Sequence, residues 1–286
     1  MSQRKILERL AAAVIKRPFT DELGHKGWFQ RIARARPHIV CRHHVLIEGW
    51  PRFARPLRIA FLTDLHAGSH TGDTVRLTAI LAEAASYSPD LVLFGGDYVN
   101  MQYFGGGRLA PRIIAALMAR LDGVHGRFAI LGNHDYIYGE HDVAVALRDH
   151  GVMVLDHERR TLTIDGHLID IVGVPDAHVI RPQAHALLAS MKPSRPALCL
   201  AHDPAWFAHV PAGPYLTLAG HTHGGQIRLP GIGVLINGSA APLRWSHGLI
   251  VEGGRQLYVS AGLGMSGLPI RNVPPEYAVL DVNGAP

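Results

Sequence analysis

The chain of 286 residues is poor in cysteine, with only Cys41 and Cys199. The two match no ligand spacing, which excludes a disulfide framework as the organising principle. Cys199 lies inside the apolar run PALCLAHD, so it is expected to be a buried structural thiol. A reducing compartment is expected with it. No run of about 18 apolar residues occurs, so no transmembrane helix is expected. Internal repeats and low-complexity tracts are absent as well. Carboxylates are outnumbered: 23 Asp and Glu stand against 28 Lys and Arg, a formal +5 with neutral histidines. That balance favours anionic partners, whether phosphates, nucleic acid or an anionic membrane surface, without choosing among them. What the chain does contain is apolar residues, at 48%, and 19 histidines. The apolar share is enough to bury a proper core and argues against disorder.

Composition divides the chain near residue 55. Residues 1–55 form a basic N-terminal extension, poor in strand-like runs apart from HVLIEGW, ahead of a domain over 56–286. In helical projection Ile6, Leu7, Leu10 and Val14 share one side, while Arg4, Lys5, Arg9, Lys16 and Arg17 supply charge. Trp28 and Phe29 then stand beside Arg31, Arg34 and Arg36. Basic and aromatic residues interleaved in this way suit contact with an anionic bilayer. A helix packed on the domain with a solvated basic face is the other reading. The expected location is cytoplasmic, with peripheral contact at the inner face of the membrane.

From PLRIAFLTDLH onward, apolar runs alternate with helical patterns, which predicts an α/β layered domain. Helices are expected over 73–87, where Val75, Ile80, Leu81 and Ala84 recur at helical spacing, over 111–121 and over 141–150. One pattern then repeats. LRIAFLTDLH is an apolar run followed by Asp64 and His66, and DLVLFGGD leads to Asp97. RFAILGNHD leads to Asn133, His134 and Asp135, PALCLAHD to His202 and Asp203, and YLTLAGHTH to His221 and His223. Five expected strands thus each end in a turn carrying carboxylate, amide or imidazole groups. Ligand groups in α/β sheets gather at the carboxyl ends of strands. Mixed oxygen and nitrogen donors without thiolate suit Mn²⁺, Fe or Zn²⁺. The inventory is roughly twice what one tetrahedral ion needs, so two ions sharing a carboxylate is the economical reading.

Taken together and in order, DLH, GGD, GNHD, the histidine of AHDP and GHTH resemble the calcineurin-like metallophosphoesterases. The resemblance runs from about Pro56 to Asp281. The extended GHTHGGQIRLP, AHDP and the closing SAGLGMSGLPIRNVPPEY are similar to a bacterial branch of YaeI/YkuE type. It implies a four-layer α/β/β/α sandwich, two mixed sheets flanked by helices. It further implies two divalent metal ions, Mn²⁺ first and Fe or Zn²⁺ as alternatives. Asp64, His66 and His223 would hold one ion and Asn133, His202 and His221 the other, with Asp97 between them. His134 resembles the family's catalytic histidine, and Asp135 would orient its ring. Phosphoprotein phosphatases of the superfamily carry Asp and Arg where this chain has Asn100 and Met101, and Glu where it has Asp135, so phosphoserine is not the implied substrate.

The expected activity is hydrolysis of a phosphodiester or pyrophosphate bond, extending to a lipid-linked substrate such as UDP-2,3-diacylglucosamine. A soluble nucleotide phosphodiesterase is the rival enzyme, and a non-catalytic metal-binding module the rival outside the enzymes. Nucleic acid is not an expected partner, because the positive charge is concentrated near the N-terminus. Arg228 and Arg271 could touch a phosphate or stand solvated. Segment 98–110 could cover the site or be a surface loop. His157, His167, His178, His185 and His247 receive no role.

Overall fold

Strands that are apolar at every position need cover on both faces, and that demand sets the layers here. The computed structural model describes residues 35–101, 107–175, 182–267 and 270–286. The expected N-terminal helix and its aromatic residues lie outside them. One six-stranded sheet contains β1 (Ile39–Ile47), β2 (Leu57–Leu62), β3 (Leu91–Phe94), β4 (Arg127–Ala129), β5 (Met153–Val154) and β14 (Glu276–Gly284), in the order β1-β14-β2-β3-β4-β5. β2 to β5 run parallel, whereas β14 is antiparallel to β2 and parallel to β1. The second has β6 (Arg159–Ile164), β7 (His167–Val174), β8 (Ala197–Ala201), β9 (Tyr215–Ala219), β12 (Gly248–Glu252) and β13 (Arg255–Val259), in the order β12-β13-β9-β8-β7-β6. Its inner four strands are parallel and its two edges antiparallel.

The side-chain alternation of β2 shows how the layers form. Ile59 and Phe61 point between the sheets, where they meet Leu198, Leu200, Leu216 and Leu218. Ala60 and Leu62 point outward onto α1 (Asp73–Ser86), α2 (Pro111–Met118) and α3 (Asn133–Asp149). On the far side, Val172, Val174, Ala197 and Cys199 pack under α4 (Pro182–Ala189) and Trp206. The result is a mixed α/β sandwich of two mixed sheets between helices. Cys199 is a buried free thiol.

The helices differ in detail from expectation. In α1 the buried stripe is Leu77, Ile80, Leu81 and Ala84, while Val75 faces solvent, a turn away from that stripe. α2 ends at Met118, three residues early. α3 begins at Asn133 rather than 141, and a break at Gly139 (φ 142°) separates its first turns from the rest. The GNHD segment is therefore a helix start as well as a strand end. Of segment 98–110, the described parts on either side of residues 102–106 are largely buried against the site, with Leu109 N donating to Ala67 O at 3.2 Å. β1 pairs with β14 along its whole length, from Ile39 opposite Glu276 to Ile47 opposite Gly284.

Candidate metal centre

The motif turns meet at one edge of the sandwich. Asp64 and His66 follow β2, Asp97 follows β3 and Asn133 lies beyond β4, all from the first sheet. His202 follows β8 and His221 and His223 follow β9, from the second. Short turns force unusual backbone. Asp64, His66, Asp97, His221 and His223 all have positive φ, between 36° and 67°, a region that costs L-residues free energy. Backbone bonds interlock the turns: Asp64 N donates to Gly96 O at 2.9 Å and His66 N to Asp97 O at 3.0 Å. Gly96 (φ 98°) must be glycine, since a Cβ there would sit 2.6 Å from Gly132 N and 2.8 Å from His202 Nδ1.

Three overlapping groups of ligand atoms result. Asp64, His66 and His223 converge within 4.8 Å of one another, and so do Asp97, His202 and His221, and His66, Asp97 and His134. Asp97 Oδ2 faces both of the first two, 3.6 Å from His66 Nε2 and 3.4 Å from His202 Nε2. His223 Nε2 lies 3.2 Å from His66 Nε2 and 3.6 Å from Asp64 Oδ1. Asn133 Oδ1 is 3.1 Å from His202 Nε2. Ring orientation is fixed from behind. His202 Nδ1 donates to Gly95 O at 2.8 Å, leaving Nε2 for the cluster. His221 Nε2 is 3.1 Å from Gly238 O, leaving Nδ1 3.3 Å from His202 Nε2.

Electrostatics favour a cation at this spot. Burial opposes charge on every group, and pushes the Asp64 carboxyl up to about 6. Burial and the neighbouring His134 hold His66 down to about 3, and burial beside His66 likewise depresses His223, so both imidazoles keep a free lone pair. His202 goes the other way. Burial would lower it, but the Asp97 and Asp64 carboxylates outweigh that and raise its pKa to about 10. The positive charge that the two carboxylates favour thus sits on the His202 ring, whose proton an ion would have to displace. Buried oxygen and neutral imidazole donors without sulfur fit divalent Mn, Fe or Zn.

His134 Nε2 stands 3.9 Å from Asp97 Oδ2 and 3.1 Å from Ser266 Oγ, at the wall of a cavity of about 310 Å³. Asp135 does not orient that ring, contrary to the expectation. Its carboxylate accepts from the backbone amides of Asp97 (2.8 Å), Tyr98 (2.9 Å), Val99 (3.2 Å) and Gly132 (3.0 Å). A carboxylate among four peptide donors is committed to the loop after β3, so Asp135 shapes the turn that presents Asp97. The expectation also fails for Arg271, which is neither solvated nor open to a phosphate, while Arg228 is half-exposed. Arg228 Nε donates to Gly224 O at 2.9 Å, and buried Arg271 donates to the carbonyls of Ala261, Gly264 and Val273. Arg271 is buried and its guanidinium is spent on loop carbonyls, whereas half-exposed Arg228 commits only Nε to a loop carbonyl. Asn100 likewise donates to Gly107 O at 2.6 Å.

Three residues of the site had no expected role. Asp203 Oδ2 lies 3.6 Å from His221 Nε2, while Oδ1 caps the following turn through Ala205 N at 2.7 Å. Gln226 accepts from Ser266 N and donates to Ser266 O, both at 2.9 Å, so it sets the position of Ser266 opposite His134. Their signals were present in AHDP, GHTHGGQ and SAGLGMSGLP, but a capping Asp or a loop Ser has no spacing that marks it.

Residues 57–225 match the calcineurin-like phosphoesterase family. The chain is 28% identical over 280 residues to the Bacillus subtilis metallophosphoesterase YkuE, covering 95% of this chain and 93% of that protein. It is 29% identical over 294 residues to the Escherichia coli phosphodiesterase YaeI, covering 99% of each. Among solved structures, the Haemophilus influenzae NAD nucleotidase overlays with a TM-score of 0.46 at 15% identity. The overlay covers 71% of this chain and 44% of that one, so the chain spans less than half of that protein.

Proposed function

The chain belongs to the calcineurin-like phosphoesterase family and is a hydrolase of phosphate esters, and from that premise we propose that it cleaves phosphodiester or pyrophosphate bonds at a dinuclear metal centre. The observation that carries this reading is the shared carboxylate: Asp97 Oδ2 faces His66 and His202 from two separate ligand groups. In this assignment Asp64, His66 and His223 hold one ion, Asn133, His202 and His221 the other, and Asp97 lies between them. Mn²⁺ is the proposed ion. Two divalent ions supply the positive charge that offsets charge building on a phosphoryl group and make attacking water more acidic. The rest belongs to the protein. The cavity admits a phosphoryl group beside the ligands, and His134 Nε2, 3.1 Å from Ser266 Oγ, would exchange that partner for the departing oxygen and donate a hydrogen bond or a proton to it.

The finer proposal is a lipid-linked substrate such as UDP-2,3-diacylglucosamine. Metal-stripped protein reloaded with Mn²⁺ is assayed on this lipid in detergent micelles and on a soluble chromogenic diester, with Asp97→Ala as control in both. Metal-dependent turnover that the variant lacks is the expected result. Fully metallated protein inert on both would overturn the hydrolytic reading. Diester turnover without lipid turnover would remove only the lipid.

A further inference from the structure

Single exposed aliphatic residues are ordinary on protein surfaces, but those that follow the His221–His223 turn are not single. Ile227, Leu229, Ile232, Leu235 and Ile236 lie on and around a small hairpin, β10 (Arg228–Leu229) paired with β11 (Gly233–Val234). Ile232, Leu235 and Ile236 are 68%, 55% and 78% exposed. Val234 is the exception that anchors the hairpin, because it packs so closely on Gly225 that a Cβ there would strike its methyl groups. The exposed face continues in both directions. Ile236 lines the cavity with His134 and His223. Exposed Ile270 precedes Asn272, which is bonded to Arg228 twice, accepting from its N–H and donating to its carbonyl.

Charge adds to this. Between Asp203 and Glu276 the chain has one carboxylate, Glu252, and Arg244 neutralises it at 2.9 Å. The stretch that carries these aliphatic groups thus brings no unpaired carboxylate of its own. Arg36, where the basic N-terminal segment enters the described chain, donates to Asn272 O at 3.4 Å. The preceding 34 residues carry eight Lys and Arg against three Asp and Glu, with Trp28 and Phe29 among them. Their point of entry is therefore beside the hairpin.

We propose that the β10–β11 hairpin with Ile236 and Ile270 docks on an anionic lipid bilayer, setting the mouth of the cavity against the headgroups. Isoleucine and leucine tips enter the headgroup boundary while nearby cations meet lipid phosphates. The inference rests on the proposed function only in naming membrane-borne phosphoesters as the supply to that site, and docking itself is read without turnover.

The full chain is sedimented with vesicles of phosphatidylcholine mixed with phosphatidylglycerol, and with phosphatidylcholine vesicles alone. The wild type is expected to sediment with the mixed vesicles. Ile232→Ser/Leu235→Ser is expected to lose roughly tenfold or more in vesicle affinity, at an unchanged melting temperature and unchanged turnover of the soluble diester. Ile232→Trp gives a second readout, a blue shift of emission on adding mixed vesicles beyond that of the wild type. Wild type left in the supernatant, equal affinity in the double variant, or an unshifted Ile232→Trp emission overturns docking. So does a dimer that the double variant abolishes without any vesicle binding, since the occupant is then a second copy. Vesicle binding lost in the double variant while neither protein cleaves the diester would retain docking and remove the catalytic reading instead.

Discussion

Positive φ at Asp64, His66, Asp97, His221 and His223 concentrates backbone strain on residues that carry the ligand atoms, at about 1–3 kcal/mol each. Such strain persists only where neighbours over-determine the conformation, so single substitutions here separate the roles. Asp97→Ala removes the carboxylate facing both His66 and His202 and is expected to lower metal content and abolish turnover, read by elemental analysis beside activity. His134→Ala should retain its metal and lose about 10²–10⁴-fold in kcat, the usual range for an acid–base group. A metal-depleted His134 variant would show that this ring is a ligand. Asp135→Asn discriminates between the two tasks considered for that residue. An amide NH₂ would confront backbone donors that now meet a carboxylate oxygen, so loosened metal binding and a lower melting temperature are expected. Full metal content with only kcat reduced would return Asp135 to His134. Away from the ligands, buried Glu276 accepts from Ala261 N and Tyr258 OH and pairs with His247 at 2.8 Å. Burial would raise its pKa, but His247, Ala261 N and the Cys41 thiol hold it below the ordinary carboxylate range. A depressed folded-state pKa means stability that is complete above the unfolded value and lost as pH falls through the folded one. Glu276→Gln should therefore flatten the loss of stability below about pH 4.5, followed by denaturant titration across that range.

At the scale of elements, the site is the set of places where strands stop. After β3, β4 and β9 a glycine (Gly96, Gly132 and Gly220) lets the ligand-bearing turn lie close against a neighbouring one. Gly96→Ala places a methyl group between Gly132 N and the His202 ring, at a φ that alanine resists. It is expected to cost more than about 1 kcal/mol and to lower metal content. Wild-type melting and metal content in that variant would mean the turns have slack. These strand ends were legible in the sequence because doubly buried strands read as unbroken apolar runs and the polar turn behind each stands out. The edges were less legible. β6 and β12 are short and half-exposed, and the pairing of β1 with β14 joins residues more than 230 positions apart, which no local pattern records. The start of α3 was hidden for a related reason, since its first turn carries Asn133 and Asp135 where a periodic helix would carry apolar residues. The bracing of Arg271 and Asp135 depends on which carbonyls and amides a loop brings within reach, and side-chain identity alone gives no sign of that.

For the whole molecule, the centre is also a clasp. Asp64, His66, Asp97 and Asn133 come from one sheet and His202, His221 and His223 from the other, so every ion held here ties the two halves together at one edge. Elsewhere the sheets meet through an apolar layer that includes Ile59, Phe61, Leu198 and Leu218. A ligand bound only by the native state raises stability by RT ln(1 + [L]/Kd), about 2.7 kcal/mol at a hundredfold excess over Kd. Because the sites require both sheets in register, neither half retains them alone, and this gain should appear as a shift of one cooperative transition. Chelation is therefore expected to lower the melting temperature by several degrees without splitting the transition, and Mn²⁺ to restore it. Asp97→Ala should remain at the chelated value with or without Mn²⁺. A melting temperature unchanged in wild type shown to lose its metal to the chelator would mean that the ions add nothing to native-state stability, and a transition that splits on chelation would mean that the two sheets are not held together without them.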